Sequence, residues 1–161
     1  MKGMTYEQDT YFMEKALQQA ELGLSKEQAP FGAVVVGADG KLIAEGHNTT
    51  RADLDPSAHG EIVAIRAACQ QLGTRKMQGC TLYSSCEPCL LCSFVITQIG
   101  ISRVVFAARA HDVPTYQSLL DADMTQAAAW VNQQPNWAHI EVVGDFMRDR
   151  AQKAIQTYFG S

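Results

Sequence analysis

Three cysteines within seven residues, Cys86, Cys89 and Cys92, and an upstream His59-Gly60-Glu61 triplet are the residues of this sequence best suited to hold a metal and move a proton. Five cysteines is an odd count, and no apolar secretory stretch follows Met1, so a disulfide framework fits poorly. An iron–sulfur run of the C-x2-C-x2-C-x3-C-P kind lacks its fourth cysteine, because Ser93 to Thr97 supply none. Zinc, with His59 completing the ligand set, is the better reading. Cys89 and Cys92 stand three positions apart, which places both sulfurs on one helical face within reach of a single tetrahedral ion.

Three protein ligands and a fourth position open to water distinguish catalytic from structural zinc, and such a site brings its water towards a pKa of roughly 7. Glu61, two residues after His59, projects in a different direction from the imidazole and can face that open position. A carboxylate there can take a proton from the water and pass it to a ring nitrogen and then to a leaving amine. The competing arrangement is a closed site in which Cys86 supplies a third sulfur and the metal only staples the fold. Against it, Cys86 precedes Glu87-Pro88 and belongs in extended chain, with its sulfur aimed elsewhere. Cys69, on an apolar helical face, and Cys80, at the start of a strand-like run, read as buried structural thiols.

The elements that must position these groups follow from periodicity. Thr5-Tyr6-Glu7-Gln8 has the form of a capping box, and Phe12, Ala16, Leu17, Ala20 and Leu24 recur at helical spacing, predicting a helix over about 5–24. Phe31 to Val36 and Lys41 to Glu45 flank Gly37-Ala38-Asp39-Gly40 and predict two strands joined as a hairpin, the first buried on both faces. Asp55-Pro56-Ser57 offers a helix start, after which Ile62, Ile65, Cys69 and Leu72 step along one face up to Gly73. Cys80 to Ser84 predicts a third strand, Pro88 opens a third helix that ends at Gly100, and Ser102 to Ala107 predicts a fourth strand. The signal weakens between His111 and Trp137, where Asp123 starts a short helix through Trp130. Ile140 to Val143 predicts a fifth strand, and a last helix runs from about Asp145 to Tyr158. His59 and Cys89 thus fall in the first turns of two helices, whose N-termini favour thiolate and other negative charge. The expected architecture is α/β: a three-layer α/β/α sandwich on a five-stranded mixed, largely parallel sheet, forming one domain over 1–161.

H-x-E followed by P-C-x-x-C at helix starts is the signature of zinc base deaminases. From about 30 to 108 the chain resembles the cytidine-deaminase-like superfamily, in particular its free-base and tRNA-adenosine branch. The resemblance is carried by Pro30-Phe31-Gly32-Ala33-Val34, Gly46-His47-Asn48, Asp55-Pro56-Ser57-Ala58-His59-Gly60-Glu61 and Ser85-Cys86-Glu87-Pro88-Cys89-Leu90-Leu91-Cys92. It implies His59, Cys89 and Cys92 as Zn2+ ligands, Glu61 as the proton shuttle, and a homodimer. Within the superfamily, guanine deaminases are the most similar. They imply that the Asn48 amide contacts the base, an amide suiting a heterocycle edge with both donors and acceptors; as a residue after a strand, Asn48 also suits a turn. Phe31 would serve as an aromatic wall or a core residue, Gly60 would allow close backbone approach beside the metal, and Tyr158 would lie over a neighbouring subunit's pocket. The chain departs from guanine deaminases at Gln98, where they carry tryptophan, and in lacking their Phe-Asp-Asp stretch. Asp112 or Asp121 stands near that region, and Arg109, His111 and Asp112 are candidate specificity residues.

Composition bounds the partners. Thirteen Lys and Arg against seventeen Asp and Glu give a formal net charge of −4, without the basic footprint of a protein that grips a phosphate backbone. Arg148, Arg150 and Lys153 are interleaved with Asp145 and Asp149. Nucleic acid is therefore disfavoured as a partner, and a small heterocyclic amine is the expected substrate: guanine first, then cytosine, isocytosine, pterin or triazine amines. A tRNA adenosine is the second reading and a noncatalytic zinc module the third. No run approaches the roughly 18 apolar residues of a membrane helix, so no membrane partner and a cytoplasmic location are expected.

Overall fold

A computed structural model describes residues 3–116 and 123–160. The elements run α1 (Tyr6–Ser25), β1 (Gly32–Val36), β2 (Leu42–His47), α2 (Thr50–Asp53), α3 (Gly60–Leu72), β3 (Thr81–Cys86), α4 (Leu90–Ile99), β4 (Arg103–Ala108), a 3-10 turn (Ala110–Asp112), α5 (Asp123–Val131), β5 (Glu141–Val143) and α6 (Arg148–Phe159). The predicted capping box is present: the Thr5 hydroxyl accepts from the Gln8 amide at 3.2 Å, and the Gln8 side chain accepts from the Thr5 amide at 2.9 Å.

The five strands form one mixed sheet in the order β2-β1-β3-β4-β5. The expectation of a largely parallel sheet is corrected here. β1 pairs antiparallel with both β2 and β3, and only the β3–β4 and β4–β5 pairs are parallel. Each parallel pair is joined by a helix, α4 or α5, as a parallel crossover requires. Alternation along the strands divides the core between the two faces. Ala33, Val35, Leu82 and Val104 pack with residues of α3, α4 and α5, whereas Val34, Val36, Tyr83 and Val105 pack with residues of α1 and α6. This is the expected α/β/α sandwich. Its inner layers meet closely at Gly32, where a Cβ would lie 2.4 Å from the Ala20 backbone nitrogen, so that only glycine lets α1 approach β1 this far. Buried Asp9 of α1 accepts from the Tyr83 hydroxyl at 2.6 Å and from both terminal nitrogens of Arg103 at 2.6 and 2.8 Å, tying that helix to the sheet.

Several boundaries differ from expectation for local reasons. Asp55-Pro56-Ser57 does not cap α3; the Asp55 carboxylate accepts from the Ser57 amide at 2.9 Å and hydroxyl at 2.7 Å and so closes its own turn. The helix starts at Gly60, with His59 as its N-cap. Likewise α4 starts two residues beyond Pro88, with Cys89 as its N-cap. The last helix starts at Arg148 rather than near Asp145, because Asp145 and Met147 adopt left-handed backbone conformations. The four-residue helix α2 was not expected; it is too short to show a period. No helix among the described residues is long and apolar enough to cross a membrane.

Candidate metal centre and its cleft

The segments that carry ligand-type residues meet at one edge of the sheet. There β3 and β4 end, β1, running antiparallel to β3, begins, and α3 and α4 present their N-termini. His59 and Cys89, as N-caps, have extended backbone, and neither side chain makes a capping hydrogen bond to the helix it starts. Cys92 lies one turn into α4 and is fully buried. The ligand atoms of His59, Cys89 and Cys92 lie within 4.8 Å of one another, and His59 Nδ1 is 3.4 Å from each sulfur. One nitrogen and two sulfurs so placed form a donor set suited to zinc. Among the described residues this is the only such metal-capable group, and Cys86 stands outside it. The Cys86 thiol points to the Arg109 carbonyl at 3.7 Å, and burial pushes its pKa up.

Glu61 sits beside the three. Its side chain is almost fully buried, one carboxylate oxygen is 2.7 Å from the Ser84 hydroxyl, and the other is 3.0 Å from the Cys92 sulfur. Burial raises the pKa of this carboxyl, with the hydrogen bonds opposing the shift. The Cys92 thiol beside Cys89 lowers the Cys89 pKa to about 4, with His59 adding to the effect, and the Cys92 thiol is pushed up in turn. Hydrogen bonding to Cys89 raises the His59 pKa.

A cleft of about 140 Å³ opens onto this group, well below the roughly 300–1,000 Å³ of sites for drug-sized ligands. His59, Glu61 and Cys89 form part of its lining, with Phe31 and Asn48. The Asn48 side-chain oxygen accepts from the Thr50 amide at 3.1 Å and hydroxyl at 2.9 Å. The turn reading of Asn48 holds, since its oxygen closes a turn, and the residue also lines the cleft.

Three expected site residues are not part of this chain's own cleft lining. Gly60 does not line the cleft; a Cβ there would lie 2.8 Å from the Phe31 carbonyl oxygen, so its close approach is to β1's entry segment. Asp112 also lies outside the lining. Its carboxylate accepts from Arg148 at 2.8 and 2.9 Å, from Gln152 at 3.1 Å and from the Arg109 amide at 2.8 Å. Tyr158 stacks edge-on against Phe159, whose ring centroid is 6.4 Å from that of Phe31, and it too is outside the lining. Asp121 lies outside the described residues.

The sequence reading missed Glu87, Ala110, Val113 and Tyr116 as lining residues. Glu87 was visible only as part of a motif, and nothing in that motif says that its side chain is buried. Val113 and Tyr116 fall where periodicity is weakest, and Tyr116 is held by a hydrogen bond from its hydroxyl to buried Asp123.

Residues 6–108 match a family model described as the cytidine and deoxycytidylate deaminase zinc-binding region. The tRNA-specific adenosine deaminase of Aquifex aeolicus is 39% identical over 98 residues, which cover 61% of this chain and 64% of that protein; the chain thus spans less than two thirds of that relative's length. The guanine deaminase of Bacillus subtilis is 34% identical over 145 residues, covering 75% of this chain and 92% of that protein. A solved tRNA:A34 deaminase structure is similar at a TM-score of 0.74 and 31% identity, covering 90% of this chain and 99% of its own.

Proposed function

Because this chain belongs to the cytidine and deoxycytidylate deaminase zinc-binding family, we propose that it is a zinc-dependent hydrolytic deaminase of a free nucleobase or similar aminated heterocycle, with guanine the first substrate. The observation that carries this reading is the convergence of His59, Cys89 and Cys92 beside the buried Glu61 carboxylate on a cleft of single-heterocycle size.

His59, Cys89 and Cys92 would hold zinc, which when bound acts as a Lewis acid that makes water nucleophilic near neutral pH. The net reaction forms a C–O bond at the aminated ring carbon and breaks its C–N bond, consuming water and releasing ammonia. Glu61 moves the protons. It takes one from the attacking water and gives it to the adjacent ring nitrogen, then takes the second from the hydroxyl on the resulting tetrahedral carbon and delivers it to the amine as it leaves. Ser84 orients the carboxylate from the side away from the ligands, through its contact at 2.7 Å. Phe31, Val113 and Tyr116 supply apolar wall, which excludes water and strengthens each polar contact inside. Asn48 offers its amide nitrogen to an acceptor on the base.

Free bases are favoured over adenosine in tRNA by what the arginines do. Arg66, Arg103, Arg109, Arg148 and Arg150, five of the seven in the chain, pair with carboxylates of the same chain. Arg109 and Arg148, which flank the loop after β4, are among those neutralised, so they do not form a free cationic track for phosphates. The same reading carries a homodimer, in which Leu91 and Phe94, exposed on α4, would be covered and Tyr158 would reach a neighbouring cleft.

The test is ammonia release by the zinc-loaded protein over guanine, cytosine, isocytosine, a pterin and a triazine, with tRNA as a separate arm read by inosine formation. Guanine turnover is the expected result. Inosine formation in tRNA with no turnover of any free base would overturn the proposal in favour of the adenosine reading.

A further inference from the structure

Among the described residues, one buried side-chain polar atom has no hydrogen-bond partner: Oε2 of Glu87. Glu87 lies directly between the end of β3 and Pro88, and its backbone amide donates to the Ala108 carbonyl at 2.8 Å, which fixes the residue between the ends of β3 and β4. Its side chain is 5% exposed and forms part of the cleft lining beside Glu61, His59 and Asn48. Oε1 accepts a long bond of 3.3 Å from the Ala110 amide. No Lys, Arg or His among the described residues hydrogen-bonds to Oε2. The Arg109 guanidinium, adjacent to Ala110, is turned to Asp145 at 2.6 and 2.7 Å.

A bracing role between β3 and the following loop accounts for Oε1 and leaves Oε2 unexplained. A neutral side chain with one carbonyl would brace Ala110 equally well, without leaving a buried acceptor unmet. An acceptor left unsatisfied in a ligand-sized cleft is a group whose partner arrives with the ligand.

Resting on the reading of the chain as a base deaminase, we propose that Glu87 Oε2 accepts a ring N–H of the substrate and makes the cleft selective for heterocycles that carry an N–H besides the leaving amine. With the Asn48 amide nitrogen as donor, the cleft then offers one donor and one acceptor, the complement of a lactam-type edge such as that of guanine. Adenine joined to ribose has only acceptors on its ring, and its only N–H donors are those of the amine that leaves. Against that base Glu87 would stay unpaired, and a site whose buried polar group is left unpaired rejects the ligand strongly.

The experiment compares the wild type with Glu87→Gln on guanine and on its 1-, 3-, 7- and 9-methyl derivatives, measuring kcat and KM with zinc content and Tm recorded for each protein. Glutamine keeps a carbonyl for Ala110 and puts an N–H2 donor where Oε2 stood. The expected result is that the wild type loses about 10- to 100-fold in kcat/KM on one methyl isomer, carried mainly by KM. Glu87→Gln loses a similar factor on guanine and no longer distinguishes that isomer, so the double cycle is non-additive. Zinc content and Tm match the wild type. An additive cycle, or a Glu87→Gln variant as active as wild type on guanine, overturns the proposal, and so does a fall in Tm or zinc content, which would assign Glu87 to bracing or to the metal site. Wild-type turnover with an additive cycle removes this inference alone. Absence of turnover by the wild type on every base removes the base-deaminase reading together with it. Equilibrium binding of 8-azaguanine to both proteins supplies a readout that needs no turnover, with weaker binding by Glu87→Gln expected and equal binding counting against the proposal.

Discussion

Two acid-rich regions of this molecule treat their carboxylates in opposite ways. At the start of α6, Asp112 and Asp145 meet Arg109, Arg148 and Gln152, and each carboxylate is met by guanidinium donors. Arg148 holds the Asp112 carboxyl down at about 2, and Arg109 lowers that of Asp145. At the metal centre, Glu61 is buried against Ser84 and the Cys92 sulfur and burial raises its pKa; Glu87, raised by burial too, keeps one oxygen unpaired. The first region is ordinary structural chemistry, with charge placed next to countercharge. In the second, acids are held in a dry place and no Lys or Arg among the described residues is hydrogen-bonded to them, and that combination in a cleft marks groups kept for a reacting ligand.

If this division is right, damage at the cleft should remove chemistry and leave the fold, whereas damage at the clamp should do the reverse. The largest effect is expected from Cys89→Ala or His59→Ala. Either variant should lose zinc, measured by metal analysis, and with it all measurable ammonia release. Retention of stoichiometric zinc and turnover after both single changes would dismantle the proposed centre. Glu61→Gln comes next. It should lower kcat by roughly 10²- to 10⁴-fold, the usual contribution of a positioned acid–base group, while zinc content is kept. Its Tm should not fall, because a neutral amide in that buried position escapes the desolvation that raises the carboxyl pKa. A variant with near wild-type kcat would show that the proton moves by another route. Gly60→Ala probes the boundary between the two behaviours. Its added methyl meets backbone of Phe31 and Gly32, which has no flexible end to yield, so a loss of about 1–3 kcal/mol in chemical denaturation is expected. A shift in ammonia release without any loss of stability would instead place Gly60 at the substrate.

The division also explains what could be read from residue order. His59, Glu61, Cys89 and Cys92 were legible because few residue types bind zinc and because their spacing relative to helix starts is itself the ligand geometry. The hairpin, the buried first strand and the three layers were legible from periodicity. What escaped depends on partners distant in the chain. Asp112 carries the same side chain whether it faces a substrate or Arg148, which stands 36 positions later. Glu87 is an unremarked acid beside a proline until the ends of β3 and β4 bury it. Whether β3 pairs with β1, antiparallel, or with β2, parallel, depends on which edge α3 returns to, and alternating strands and helices leave that open. Asp55-Pro56-Ser57 met the rule for a helix start, yet the Asp55 side chain satisfies a turn four residues earlier than the true cap.

The smallest effect belongs to the clamp, and its pH profile gives it diagnostic value. Asp112 has a folded pKa of about 2 against an ordinary 3.8, set first by its bonds from Arg148. A carboxyl depressed on folding contributes stability that is complete above its unfolded value and is lost as pH falls through the folded one. Asp112→Asn should therefore lower Tm at neutral pH by roughly 2–4 °C, the shift that accompanies a modest loss in a chain of this size. The gap to wild type should stay constant down to about pH 5, narrow from about pH 4 and close only below about pH 2. Other acids titrate in that range; those that do not interact with Asp112 contribute equally to both proteins and cancel in the difference, whereas Asp145, which shares Arg148 with Asp112, does not cancel fully. Activity at pH 7 should remain within about two-fold of wild type below the melting range, since Asp112 lies outside the cleft lining. A Tm gap that runs parallel at every pH would mean that Asp112 acts through packing and not through its charge. A large fall in kcat with an unchanged Tm would move Asp112 from the clamp to the site and erase the contrast between the two regions.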